Sequence, residues 1–256
     1  MQSNPQVSGA IYFCADVTTT MIGDVKMKKL HWLLGVIASF AVIIILLMSS
    51  FQVAMYADFG FYEKEYEKYE VLPELDMKME DVMYVTHEMM DYLKGDRENL
   101  DVFTTVEGKE QDFFNEQDKL HMADVQGLFI GGLHLRMGSL IVLLVCLAVL
   151  FFMKANWEYI LPRAFKIAVG AAGVISAVLA FLVSRDFDAV FTKFHEIFFS
   201  NDLWLFDPAE DYMIRMLPEG LFFDMVIRIG ILFIGGLVIL LIASAIWRRK
   251  TRASSK

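Results

Sequence analysis

The chain has 256 residues, 56% of them hydrophobic, with 22 phenylalanines, a mean hydropathy of +0.47 and a formal net charge of −9. A composition this apolar excludes an ordinary water-soluble domain. Two cysteines, Cys14 near the N-terminus and Cys146 inside an apolar run, exclude a disulfide framework and a cysteine-built metal centre.

Residues 1–26 have no periodicity and little charge, and read as a disordered extension ahead of MKKLHW at Met27. Four segments are long and apolar enough to cross a bilayer core, which takes about 20 residues. The first is Trp32–Phe51, WLLGVIASFAVIIILLMSSF, within a first transmembrane helix over 27–55. It is longer than the core of a cleaved signal peptide and no small-x-small site follows, so it is expected to be retained. The second and third are Met137–Met153 and Ile167–Val183, within 133–184, and the fourth occupies 222–247. Each is apolar all round, and lipid leaves the backbone no partner but itself, so each is expected to be helical. In the third, Gly170, Gly173 and Ser176 are expected to permit close packing of helices.

The segments between them differ in charge. Lys26, Lys28 and Lys29 precede the first span, Lys154, Arg163 and Lys166 separate the second from the third, and 248–256 form a basic tail. Residues 56–128 hold 20 acids against 7 bases, and 185–221 hold 8 against 3. The positive-inside rule therefore predicts both termini in the cytoplasm and two acidic outer regions, 56–132 and 185–221. With no basic groove outside and only short basic segments inside, nucleic acid is excluded as a partner.

The first outer region is too long for a tether. Tyr62, Tyr66 and Tyr69 fall at i, i+4, i+7 and predict an amphipathic continuation of the first span, ending before Pro73. Met79, Val82, Met83, Thr86, Met89, Met90 and Leu93 make a helical apolar stripe stopped by Gly95. VFTTV, Val102–Val106, is β-like, and a third helix is expected from about Asn115 to Gly131-Gly132, where it meets the second span. The fold class is thus an all-α membrane protein: four transmembrane helices with a mostly helical extracellular cap formed by the first and second outer loops.

Chemistry-bearing residues concentrate near this outer boundary, where charge is costly unless paired or functional. His121 and Asp124 share a helix face, Arg136 and His134 follow on the second span, and His195 lies in KFHEIFFSNDLWLF, whose rings include Trp204. Asp224 and Arg228, at i, i+4, are expected to pair with each other. His87-Glu88 starts an HExxH pattern, but position 91 is Asp, so that zinc motif fails.

EQDKLHMADV (Glu116–Val125) and FTKFHEIFFSNDLWLFDPAEDYMIRMLPEGLFFD (Phe191–Asp224), on a four-span chain with a large first outer loop, resemble the Lit family of bacterial lipoprotein intramolecular transacylases. The resemblance runs from about Met27 to the end. It implies an enzyme of the bacterial cell membrane acting at the outer leaflet on diacylglyceryl-modified lipoproteins among the membrane lipids. The sn-2 acyl chain moves from glycerol to the α-amino group of the N-terminal cysteine, leaving a lyso-form lipoprotein. It implies His121 and His195 as the catalytic histidines, with no departure at either position, and no metal or cofactor. Arg136 is a candidate oxyanion partner, Asp124 a candidate orienting group and Trp204 a candidate substrate contact. Two other classes remain open from the residues alone. One is a non-enzymatic sensor or assembly factor with an acidic binding cap. The other is a metal-dependent hydrolase using His121, Asp124 and His195.

Overall fold

The computed structural model describes residues 27–251, so the expectation for residues 1–26 lies outside the described residues. Four long helices run antiparallel in sequence: α1 (Met27–Tyr56), α5 (Glu116–Phe152), α6 (Trp157–Arg185) and α9 (Glu219–Thr251). Each is long and apolar enough to span a membrane. Helix α1 is central and packs against the other three. Its Ile43 joins Ala168 and Ala172 of α6 and Phe233 and Leu237 of α9 in one buried cluster. Close approach to α6 comes at Gly35, which faces Ile160 and Ala164, and along the alanine row Ala164, Ala168 and Ala172. Gly170 and Gly173 were expected to make that contact, but they face open space on the other side of α6. With about 3.6 residues per turn, the alanines at i, i+4, i+8 hold the inward stripe and the glycines fall off it.

The cap sits at the end of the bundle where α1 finishes at Tyr56 and α9 begins at Glu219. The first span stops at Tyr56, and the tyrosine stripe is a separate helix, α2 (Gly60–Lys68), not a continuation of α1. Next comes α3 (Val71–Leu75), which contains Pro73 instead of ending before it. The ring is tolerated there because a first-turn N–H has no partner inside the helix to lose. Helix α4 (Met79–Lys94) buries the predicted methionine stripe and ends at Gly95, whose φ of +86° only glycine adopts at little cost. The β-like run is β1 (Phe103–Val106), paired antiparallel with β2 (Lys109–Asp112) through a turn in which Glu107 and Gly108 both have positive φ.

Both inter-span regions build the cap's core. Tyr62, Tyr66, Leu75, Val82, Val85 and Met90 from the first pack with Met213, Met216 and Leu217 on and after α8 (Tyr212–Met216) from the second. Each fully buried aromatic or methionine there contributes about 1.5–3 kcal/mol. The cap docks on α9 through α2. Tyr69 donates to Asp224 at 2.6 Å, Lys68 pairs with the same carboxylate, and Arg228 pairs with Asp58 at 3.3 Å. Asp224 and Arg228, expected to pair with each other, thus each take a partner from the cap, because the cap brings its own charges within reach. The Tyr69 ring lies where a side chain on Gly220 would sit. Gly220→Ala is expected to push that ring off α9 and cost about 1–3 kcal/mol, read as a lower melting temperature of the purified protein in micelles.

Candidate active site

Helix α5 is unbroken over 37 residues, about 55 Å long, against a hydrocarbon core of about 30 Å. The expected junction at Gly131-Gly132 does not interrupt it, and its first turns pack into the cap. Asn115 starts it with a capping box: its side chain accepts from the Asp118 N–H, and Asp118 accepts from the Asn115 N–H. That fixes the turn after it, where His121 sits. Beyond α6, Asp186 caps α7 (Phe187–Phe198) by accepting from the Ala189 N–H. Helix α7 is strongly amphipathic. Its His195 is buried, whereas Phe194, Ile197 and Phe198 are exposed.

The two helices bring the imidazoles together. The ring centroids of His121 and His195 are 6.0 Å apart and their planes differ by 25°. Both rings are buried, with 5% and 7% of their residues' surface exposed. Phe199 and Phe206 stand edge-on to His121 at 5.1 and 5.3 Å, and Phe191 and Trp204 lie 4.3 and 5.0 Å from His195. His195 Nδ1 is 2.8 Å from the carbonyl oxygen of Phe191. A carbonyl only accepts, so Nδ1 carries the proton and Nε2 of the neutral ring keeps its lone pair. His121 Nδ1 is buried without a partner. Burial, and then the neighbouring His195, push the His121 imidazole down to about 4, against an opposing pull from Asp124. Burial lowers His195 as well, partly offset by its bond to Phe191. Both rings are therefore neutral at neutral pH and able to take a proton.

The other expected site residues divide. Trp204 lies with its ring against His195 and its indole N–H donating to the Asn201 carbonyl at 3.0 Å. Asp124 does not bond His121; it accepts from the Asn201 side chain at 2.9 Å. Arg136 is not brought to the pair. It lies 15 residues beyond His121 on the same helix, about 22 Å along the axis, and its guanidinium reaches Gln52 of α1. An arginine rooted within a span extends toward the polar boundary and takes the nearest acceptor. His134 is exposed on α5, and His87 stacks on Phe59 at 4.0 Å. Among the described residues, no group of three His, Cys, Asp or Glu side chains converges as metal ligands. Sequence reasoning missed Gln117, which donates to the carbonyls of Leu203 and Leu205 at 3.1 and 3.0 Å, and Asn201. Gln117 carried a signal, since it stands one turn before His121 on the same face.

A bundle of four helices long and apolar enough to cross a membrane, with two buried imidazoles walled by aromatic rings, is the architecture of an integral membrane protein. The chain belongs to the Lit family, lipoprotein intramolecular transacylase, whose description matches residues 36–223, more than half of its length. The protein is thus a membrane-integral lipoprotein intramolecular transacylase. Among solved structures, it resembles the lipoprotein intramolecular transacylase Lit from Bacillus cereus with a TM-score of 0.73 at 18% identity, over 88% of this chain and 99% of that one. A form of the same protein with one histidine replaced by arginine gives 0.72 at 17% identity, over 92% and 99%. A search of the curated proteins finds no match.

Proposed function

We propose that His121 and His195 are the catalytic pair of an O-to-N acyl transfer at the outer face of the bacterial cell membrane, with both termini in the cytoplasm. The substrate is a lipoprotein whose N-terminal cysteine carries a diacylglyceryl thioether and a free α-amino group. The amine nitrogen attacks the sn-2 ester carbonyl, and the carbonyl π electrons move onto oxygen. His195 Nε2, left free by the Nδ1–H bond to Phe191, takes the amine proton. His121 presents its ring N–H to the oxyanion in place of the distant Arg136. Collapse breaks the bond between the acyl carbon and the glycerol oxygen, which receives the proton from the His195 imidazolium. An amide and a free sn-2 hydroxyl result. Nucleophile and ester belong to one molecule, so holding it folded supplies much of the barrier reduction.

The observation that carries this reading is the buried, aromatic-walled imidazole pair at 6.0 Å. A sensor with an acidic cap needs no such pair. The test is mass spectrometry of a synthetic diacylglyceryl-cysteinyl lipopeptide incubated with the protein. Fatty acid is expected on nitrogen, and a persistently free amine removes the proposal.

The pH profile is a second test. Neutral imidazole is present above its pKa and lost as pH falls through it. The substrate amine already protonates below about pH 8, giving log kcat/KM unit slope there. Because burial holds both histidines below 6.5 and His121 at about 4, steepening is expected only below pH 6.5. An enzyme limb at or above 6.5 contradicts the dry pair.

A further inference from the structure

Gln117, His121 and Asp124 fall at i, i+4, i+7 on α5 and so share one face. The two residues flanking the histidine do not touch it. Both reach instead to the same short segment, 201–205. Gln117 Nε2 donates to the Leu203 and Leu205 carbonyls, and Asp124 Oδ2 accepts from Asn201 Nδ2. Asn201 adds two bonds of its own. Its Oδ1 accepts from the Leu203 N–H at 3.1 Å, and its carbonyl accepts from the Trp204 indole at 3.0 Å. The segment so held contributes Trp204 to the wall of His195, and Phe199 and Phe206, at its two ends, stand against His121. A connection of this kind, outside any helix or strand and walled by rings that make no polar bonds, has few other fixed points.

We propose that Asn201 and Gln117 are positioning residues: with Asp124 they form a clasp from the His121 face of α5 that seats the aromatic segment over both imidazoles and holds the pair in register. The inference rests on the acyl-transfer reading of the pair, and its test separates the two. Asn201→Asp sets two carboxylates against each other and opens the clasp. Asp124→Asn combined with Asn201→Asp restores the bond with donor and acceptor exchanged, and keeps both the net charge and the acceptor for the Leu203 N–H. Transfer on the synthetic lipopeptide and backbone amide exchange over 199–206 are measured on the intact protein in micelles.

The Asn201→Asp variant is expected to lose about tenfold in kcat, with KM within about twofold, and to exchange faster over 199–206. The exchanged pair is expected to recover both. Gln117→Ala, which removes both bonds to the Leu203 and Leu205 carbonyls without adding charge, is expected to change kcat and exchange in the same direction as Asn201→Asp. Faster exchange with kcat unchanged overturns the positioning of the pair by the clasp, as does an exchanged pair no better than Asn201→Asp alone. His195→Ala turning over at the parent rate instead removes the reading of the imidazole pair as the acyl-transfer site, on which the clasp rests.

Discussion

Replacing His195 by alanine is expected to lower the rate of acyl transfer by about 10²–10⁴-fold, the span that a positioned general base contributes. The loss falls on kcat. The ring is walled by Phe191, Phe194, Phe199 and Trp204 and makes a single hydrogen bond, to a backbone carbonyl within its own helix. Its removal therefore costs packing but leaves no buried charge behind. His121→Ala is expected to fall in the same range, and the double variant to lose less than the product of the two, because proton transfer to His195 and the hydrogen bond from His121 to the oxyanion act in one transition state. Rates come from mass spectrometry of the lipopeptide, and integrity from the melting temperature and the elution volume in micelles. Either single variant turning over at the parent rate excludes that ring from the chemistry, whereas a double loss equal to the product of the singles means the rings act in separate steps.

Much of this was legible in the residues because its signals are local. Four apolar runs, the Gly95 stop, the methionine stripe and the Asn115 start each depend on a few neighbouring positions, and each recurs in the structure within a few residues. The errors share one cause, which is that spacing along a chain does not tell which long side chain meets which. Asp224 and Arg228 sit at ideal helical spacing, yet each is taken by a cap residue remote in sequence. Arg136 follows His121 closely enough in sequence to look like a neighbour, but a straight helix carries it four turns away. β2, KEQD, has no apolar alternation, since only its pairing with β1 makes it a strand. The histidine pair was reached from motif resemblance, and its 6.0 Å spacing depends on α5 and α7, which lie far apart in sequence. The Asn201 clasp had no local signature at all, because an asparagine in a turn usually bonds its own backbone.

Met90→Ala is expected to destabilise the cap by about 2–5 kcal/mol, the cost of truncating a fully buried methionine. Met90 has no exposed surface, and its sulfur lies 3.8 Å from the Tyr62 hydroxyl. The cavity opens among Tyr62, Tyr66 and the stripe of α4, where a rigid ring cannot move in to fill it. The spans are little affected, for their stability depends on lipid and on contacts such as that between Gly35 and Ile160. The variant thus separates two cooperative units. Amide exchange over 79–94 is expected to speed up by a factor set by the lost free energy, while exchange in the apolar part of α1 stays as in the parent. Activity follows the cap, because Met122 of α5 packs in the same core one residue beyond His121, and Gln126 of α5 donates to the Tyr92 carbonyl of α4 at 2.6 Å. A loosened α4 therefore frees the turns that aim His121 at His195, and transfer falls at temperatures where the spans remain folded. If exchange in the cap and in the spans accelerated together, cap and bundle would be one cooperative unit, and the imidazole pair would be held by the whole protein and not by the cap core.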